Sequence, residues 1–330
     1  MRIASLCFFI FICSQICSAD DAVEIARRAE QAAVKLTAAK LKVTRDRRTG
    51  LFITEVTVGG LTSQEVGNDE IAPLADIPTL EKVSLQYSKI DDDGLEQLKG
   101  LTALKRLSLF QTKIKGPGLK HLKDLKRLEE LYLNFTSVDD AALEHLKPLE
   151  SLRELMLEFT KVNGNGLKHL GELPKLERLW LHRTLISDDG IQHLQTCRKL
   201  TFLTLDRSKL TDKGMSGFDP GPDNLEWLDL SETQITDAGL QHLSKLKNLE
   251  SIYLARNNIE GPGLRHLREL PKLSEVRLGL SKLNDDGLME LALFPALKDL
   301  DIRLTKVSDV AIARFKAAKP NVKVQHATTQ

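Results

Sequence analysis

Four side chains of the types that build a nucleophilic site recur at near-constant spacing. Glu158, His182, Asp206 and Ser231 stand 24, 24 and 25 residues apart. In such a site the histidine must touch both the serine it deprotonates and the carboxylate that orients it. Here Asp206 comes between His182 and Ser231. On successive strands the two would be roughly 9–10 Å apart, too far for proton transfer, and an open sheet face excludes little water. The sequence therefore predicts no catalytic residue and no enzyme. For His182 and Asp206 it predicts at most a hydrogen-bonded pair within a binding face. A second set is His121, His145, His169, His193, His242 and His266, which share one column. Neighbouring helices pack about 8–10 Å apart, whereas a shared metal needs its ligand atoms about 2 Å away. The column reads as a half-exposed helix position copied by duplication, with some pH sensitivity open to it. No metal site is expected. Phosphate loops, dinucleotide fingerprints, zinc clusters and nucleophile elbows are absent, so no cofactor is expected either.

The constant spacing comes from a repeat. Leu80, Val83 and Leu85 return as Leu104, Leu107, Leu109, then as Leu128, Leu131, Leu133. Further copies begin at Leu152, Leu176, Leu200, Leu225, Leu249, Leu273 and Leu297. Each spans 24 residues except that from Leu200, which gains one in Asp219-Pro220-Gly221-Pro222, a loop signal. The pattern is L-x-x-L-x-L-x-x-T-x-I-x-D-x-G-L-x-x-L-x-x-L-x-x. Its first half alternates apolar and polar residues, a strand signal, and its second half has apolar residues three apart, which suits a short helix. Ser187-Asp188, Thr211-Asp212, Thr236-Asp237 and Ser308-Asp309 are expected to cap the helices that follow them.

On these residues the chain resembles the leucine-rich-repeat proteins. Its T-D-x-G-L segment is similar to the ribonuclease-inhibitor and F-box-associated repeat types, and the whole looks most like secreted bacterial members. The resemblance covers about 240 residues. It implies an α/β fold, a right-handed solenoid (horseshoe) with one strand and one short helix per repeat. Fold alone does not name a ligand. The family usually has Asn at position nine. Here that column reads Ser88, Thr112, Thr136, Thr160, Thr184, Ser208, Thr233, Asn257, Ser281, Thr305, and is expected to form a structural hydroxyl ladder.

In that family positions two, three, five, seven and eight face the concave side. Thirteen aromatic residues follow Ala19, and nine take those positions: Tyr87, Phe110, Tyr132, Phe135, Phe159, Trp180, Phe202, Trp227 and Tyr253. Chance would place roughly three there, and the core uses Leu instead. An apolar patch of this kind marks a binding site, and Trp, Tyr and Arg are the residues enriched in hot spots. Arg183, Arg207 and Arg256 hold position eight. The expected partner-binding residues are Tyr132, Phe135, Phe159, Trp180, His182, Arg183, Phe202, Arg207, Trp227 and Tyr253, over roughly 25 Å of sheet. The alternative is that the rings pack across strands and strengthen the sheet. Charge on the face comes in blocks of alternating sign, which suits a protein partner better than a polyanion. A carbohydrate or cell-envelope polymer is the second reading. An intracellular F-box-type adaptor is the third, although no F-box precedes the repeats.

Composition agrees with an ordinary globular chain of 330 residues, 47 basic and 46 acidic. Arg2 accounts for the excess, so neither nucleic acid nor an anionic membrane is an expected partner. Arg2, the apolar run from Ile3 to Cys13 and the small residues Ser18 and Ala19 read as a secretory signal cut after Ala19. An uncleaved N-terminal anchor is the alternative. Cleavage would make the protein secreted or periplasmic, with no membrane span in the mature chain. It would leave Cys197 alone, without a disulfide and expected to be buried and inert. The expected divisions are a signal over 1–19, a helical cap over 20–52, a degenerate first repeat over 53–79, ten repeats over 80–320, and a terminal strand and tail over 321–330. The cap helix is read from Asp20-Asp21 to about Leu41 on Val23, Ile25, Ala29, Val34 and Leu36.

Overall fold

The computed structural model describes residues 19–58 and 65–327. The expected signal peptide lies outside them as far as residue 18. The described residues form two compact units, one of those up to residue 137 with 148–151, the other of residues 138–147 with those from 152 onward.

The first unit opens with helix α1 (Ala19–Ala38). Asp20 and Asp21 sit in its first turn, where they complement the positive end of the helix dipole. Its buried stripe is Ala22, Ala32, Ala33 and Leu36. Val23 and Val34, expected in the cap's apolar face, are 57% and 71% exposed. The helix also stops short of Leu41. Lys40 takes a left-handed φ of 65°, and Leu41–Arg45 becomes strand β1, pairing antiparallel with β2 (Ile53–Val58). The turn between them closes on Asp46, whose carboxylate accepts from the N–H and hydroxyl of Thr49, each at 2.8 Å. Parallel pairing then runs from β2 through β3 (Lys82–Ser84) and β4 (Arg106–Ser108) to β5 (Glu130–Tyr132). A one-turn helix, α2 (Asn68–Ile71), stands between β2 and β3.

The second unit continues in the same manner. Strands β6 (Glu154–Met156), β7 (Arg178–Trp180), β8 (Phe202–Thr204), β9 (Trp227–Asp229), β10 (Ser251–Tyr253), β11 (Glu275–Arg277), β12 (Asp299–Asp301) and β13 (Lys323–Gln325) pair parallel in chain order. Strand and helix thus alternate once per repeat. The leucine columns, from Leu80 and Leu104 to Leu273, are essentially sealed from solvent, each side chain stabilising by roughly 1.5–3 kcal/mol.

The helical halves are mostly 3₁₀, for example Pro117–Leu122 and Gly239–Leu243. A 3₁₀ turn rises about 2.0 Å per residue against 1.5 Å for an α-turn, so it covers the repeat's width with fewer residues. Asp188–Ile191 makes a single α-turn (α3). Longer α-helix occurs at α4 (Asp285–Leu291) and α5 (Asp309–Ala318), where Asn284 and Ser308 accept from Gly287 N and Ala311 N.

Of the four Ser/Thr-Asp pairs, Ser308 caps its own helix through its hydroxyl, Thr211 and Thr236 accept from Lys213 N and Ala238 N at 3.3 and 3.2 Å, and Ser187 makes no side-chain cap. The aspartates at position thirteen have a further role. The aspartates cap the repeat that follows. Asp188 accepts from the N–H and hydroxyl of Thr211 at 2.8 and 2.6 Å, and Asp212 does the same for Thr236 at 2.7 and 2.6 Å. Where the following repeat has Gly at thirteen, the aspartate accepts three backbone N–H groups instead. Asp92 takes Lys115, Gly116 and Gly118. Asp140 takes Asn163, Gly164 and Gly166. Asp237 takes Glu260, Gly261 and Gly263. Gly261 has φ +135°, and a Cβ there would stand 2.1 Å from the Cα of Gly287.

Position nine is also not a ladder. Thr112, Thr160, Thr184 and Thr233 turn their hydroxyls back to a carbonyl three residues earlier, at 2.6–2.8 Å. Asn257, with more polar atoms, reaches the previous repeat: it donates to Leu230 O at 2.7 Å and accepts from Thr233 N at 3.1 Å. A hydroxyl is too short to span that gap.

Candidate functional site

Each strand from β3 to β12 is three residues long, so positions three and five point out of the sheet and position four points in. Position seven follows in the turn. Position eight is left-handed in every repeat, with φ between 50° and 62° from Tyr87 to Leu304. The twist lets the turn begin while the ladder continues: Phe159 N donates to His182 O at 3.0 Å and Arg207 N to Ser231 O at 2.9 Å.

In the second unit, register places Arg178, Phe202 and Trp227 side by side at position three, and Trp180, Thr204, Asp229 and Tyr253 side by side at position five. Small Thr204 and Asp229 leave room for rings to lean across. Trp180 meets Phe202 with ring centres 4.2 Å apart, Phe202 stacks on Trp227 at 4.2 Å with planes 8° apart, and Trp227 meets Tyr253 at 4.8 Å. Such pairs contribute about 0.5–1.5 kcal/mol each beyond burial, so cross-strand packing is one thing these rings do. All four remain half-buried, so part of each ring still faces solvent. The guanidinium of Arg178 lies 5.1 Å from the Phe202 ring centre and 5.7 Å from that of Trp180.

Beside the ring row lie the position-seven residues. His182 Nδ1 contacts Asp206 Oδ2, forming the pair expected from sequence. The imidazole also stands edge-on to Phe159 at 5.1 Å. No hydrogen bond joins His182 to Ser231, whose N–H instead donates to Asp229 Oδ1 at 2.8 Å. Burial pushes the carboxyls of Glu158 and Asp206 up, the latter against the pull of His182. Burial pushes Asp229 up to about 6 although both Ser231 donors hold it down. Glu158 Oε2 and Trp180 Nε1 are buried with no hydrogen-bond partner.

The expected arginines are less free. Arg183 lies over Phe159 at 5.2 Å. Arg207 pairs with Glu232 at 2.8 Å, and Arg256 stands 3.7 Å from the same carboxylate. The structure thus gathers Phe159, Trp180, His182, Arg183, Phe202, Arg207, Trp227 and Tyr253 on one face of the second unit. Tyr132 and Phe135 belong to the first unit. There Tyr87 meets Phe110 at 4.9 Å, Phe110 meets Phe135 at 5.2 Å, and Tyr132 lines a 260 Å³ hollow with Lys82 and Arg106. Glu158, Asp229 and Arg178 belong to the same face although they are not among the expected partner-binding residues; they occupy positions seven, five and three, the columns that also hold the rings and His182.

Elsewhere, the His column is half-buried along its whole length, and among the described residues no group of three His, Cys, Asp or Glu could hold a metal ion. Cys197 is buried, its thiol pushed up to about 12 by burial. Among the described residues no helix is long and apolar enough to cross a membrane.

Comparison with known proteins bears on the fold. The family described as Leucine Rich repeats (2 copies) matches residues 223–266, and that described as Leucine Rich repeat matches residues 77–99. No curated protein matches the chain. Among solved structures, an internalin (inlF) from Listeria monocytogenes is similar with TM-score 0.54 and 18% identity, over 92% of this chain and 95% of its own. A Leptospira interrogans LRR protein is similar with TM-score 0.61 and 21% identity, over 77% and 68%. The LRR ectodomain of the receptor kinase GASSHO1/SCHENGEN3 from Arabidopsis thaliana, solved in complex with CASPARIAN STRIP INTEGRITY FACTOR 2, is similar with TM-score 0.50 and 17% identity, over 87% and 40%. Repeat spacing, strand order and these likenesses agree on one fold, a solenoid of leucine-rich repeats.

Proposed function

We propose that the chain is a secreted, non-catalytic binding protein that recognises a protein partner on the aromatic face of its second unit. Its repeats are read as the ribonuclease-inhibitor and F-box kind. The observation that carries the reading is the row Trp180, Phe202, Trp227 and Tyr253, held at fixed spacing by strand register yet only half-buried. Rigid aromatic groups that stay partly open are what binding hot spots are made of. The Arabidopsis ectodomain, a solved structure with this fold, is itself a complex. Secretion rests on the N-terminal segment, Arg2 to Ala19.

The test is affinity capture from the native extracellular or envelope fraction, with wild type beside the Trp180→Ala/Trp227→Ala variant. A protein held by wild type and lost by the folded variant supports the reading. Equal retention refutes it and leaves the rings a structural role only. The part of the ring row that stays open to solvent also fits a second reading, in which the aromatic face meets a carbohydrate. Glycan-array binding without protein capture would select it.

A further inference from the structure

The carboxylates at positions three, five and seven of the second unit fall into two groups. On β11 and β12 each has an arginine. Arg277 donates to Glu275 at 2.6 Å and to Asp299 at 2.8 Å, and Arg303 donates to Asp301 at 2.7 and 2.9 Å. Burial pushes Glu275 and Asp301 up, but these arginines and their neighbours outweigh it and leave both below the ordinary range. From β6 to β9 and the turns between them the pattern changes. Glu154 faces Arg178 at 3.8 Å, but among the described residues no arginine or lysine pairs with Glu158, Asp206 or Asp229, and the base that touches this group is His182, through Asp206. Burying carboxylates without a counter-charge is unfavourable, and this chain elsewhere supplies the missing arginine.

The unbalanced charge adjoins the ring row. Asp206 follows β8 in the turn and Asp229 ends the neighbouring β9, the two segments being joined where Leu205 N donates to Asp229 O at 2.8 Å, and Phe202 and Trp227 stand opposite each other on those two strands. Other rings of this face, and Phe202 itself, already accept guanidinium groups. Arg178 lies against Phe202 and Trp180, and Arg183 against Phe159. A planar fork that bridges two carboxylates and stacks on an aromatic ring is an arginine side chain, whereas the ammonium of lysine is a compact, strongly hydrated point charge.

We infer that the protein partner presents an arginine to this face, its guanidinium set between Asp206 and Asp229 and against the rings of Phe202 and Trp227. The inference rests on the proposed binding face and names the chemistry of its occupant by charge complementarity. Neutral and acidic segments would leave the carboxylates buried and unmatched.

The experiment selects a random peptide library, displayed on phage, against the full chain. Peptides whose binding is lost by the Trp180→Ala/Trp227→Ala variant are taken forward as synthetic probes. These should share an arginine, and changing it to glutamine should weaken binding about 30- to 100-fold. The Asp206→Asn/Asp229→Asn variant should weaken it to a similar degree, with folding checked by circular dichroism. Tryptophan-dependent peptides that lack arginine, that tolerate lysine in its place, or that bind the asparagine variant equally well would overturn the inference and leave the binding face standing. If no enriched peptide depends on the tryptophans, the face and the inference fall together.

Discussion

Asp229 should make the fold less stable at neutral pH than it would be without the charge. Burial lifts its carboxyl from an ordinary 3.8 to about 6. At 1.36 kcal/mol per pH unit, that gap corresponds to about 3 kcal/mol. The unfolded chain releases the proton near 3.8 and the folded chain near 6. Between those values the folded state holds more protons, so stability falls as pH rises through the window. Above about pH 6 both states are ionised and the cost is complete; below 3.8 both are protonated and it vanishes. Asp229→Asn keeps the acceptor for Ser231 N, 2.8 Å away, and removes the charge. It should therefore be more stable than wild type by up to about 3 kcal/mol near pH 7.5, with the gap shrinking from about pH 6 and closing towards pH 4. Paired urea titrations followed by circular dichroism at several pH values measure the difference directly. Titrations shared by both proteins cancel, apart from that of Asp206, which is coupled to Asp229. Equal stability near neutral pH, or a gap that does not change with pH, would refute the reasoning. A stabilised variant that no longer binds would show that the charge is kept for function at the expense of stability.

Two further outcomes follow from the repeat. Asn257→Thr leaves Thr233 N and Leu230 O without their cross-repeat partner and should cost about 2–4 kcal/mol in denaturant unfolding, whereas Thr160→Val, which removes one bond within a repeat, should cost about 1 kcal/mol. Leu280 is left-handed at φ 61° and 42% exposed; asparagine adopts that conformation more readily, so Leu280→Asn should raise stability by about 0.5–1 kcal/mol, and a loss in the same assay would mean that the exposed side chain packs usefully.

The fold was legible because its signal is redundant. Leucines at fixed offsets in copy after copy specify strand, turn and helix together, so the loss of any one copy would not have hidden the pattern. What escaped were features with no marker in residue type. Position eight is left-handed throughout, yet it holds Tyr, Gln, Phe, Arg, Glu and Leu rather than glycine or asparagine. Strand β1 is short, and Leu41 is its one buried residue; a helix ending near Leu41 reads equally well from those letters. The pair His182 and Asp206 could be foreseen because a constant repeat turns sequence distance into strand distance. The depth of Asp229 could not, since burial depends on how the rings of neighbouring strands lean.

The aspartates at position thirteen give the array a grammar. Each turn with glycine at that place borrows its acceptor from the repeat before it, so order carries information that single repeats lack. Excising residues 225–248 would set Asp212 ahead of Gly261, with a carboxylate still in place. Excising residues 128–151 would set Gly116 ahead of Gly164 and strand three N–H groups now held by Asp140. Duplication and deletion, the events by which such arrays grow, are therefore not equally open at every joint, and the present sequence of aspartate and glycine repeats is a partial record of the joints that could be cut.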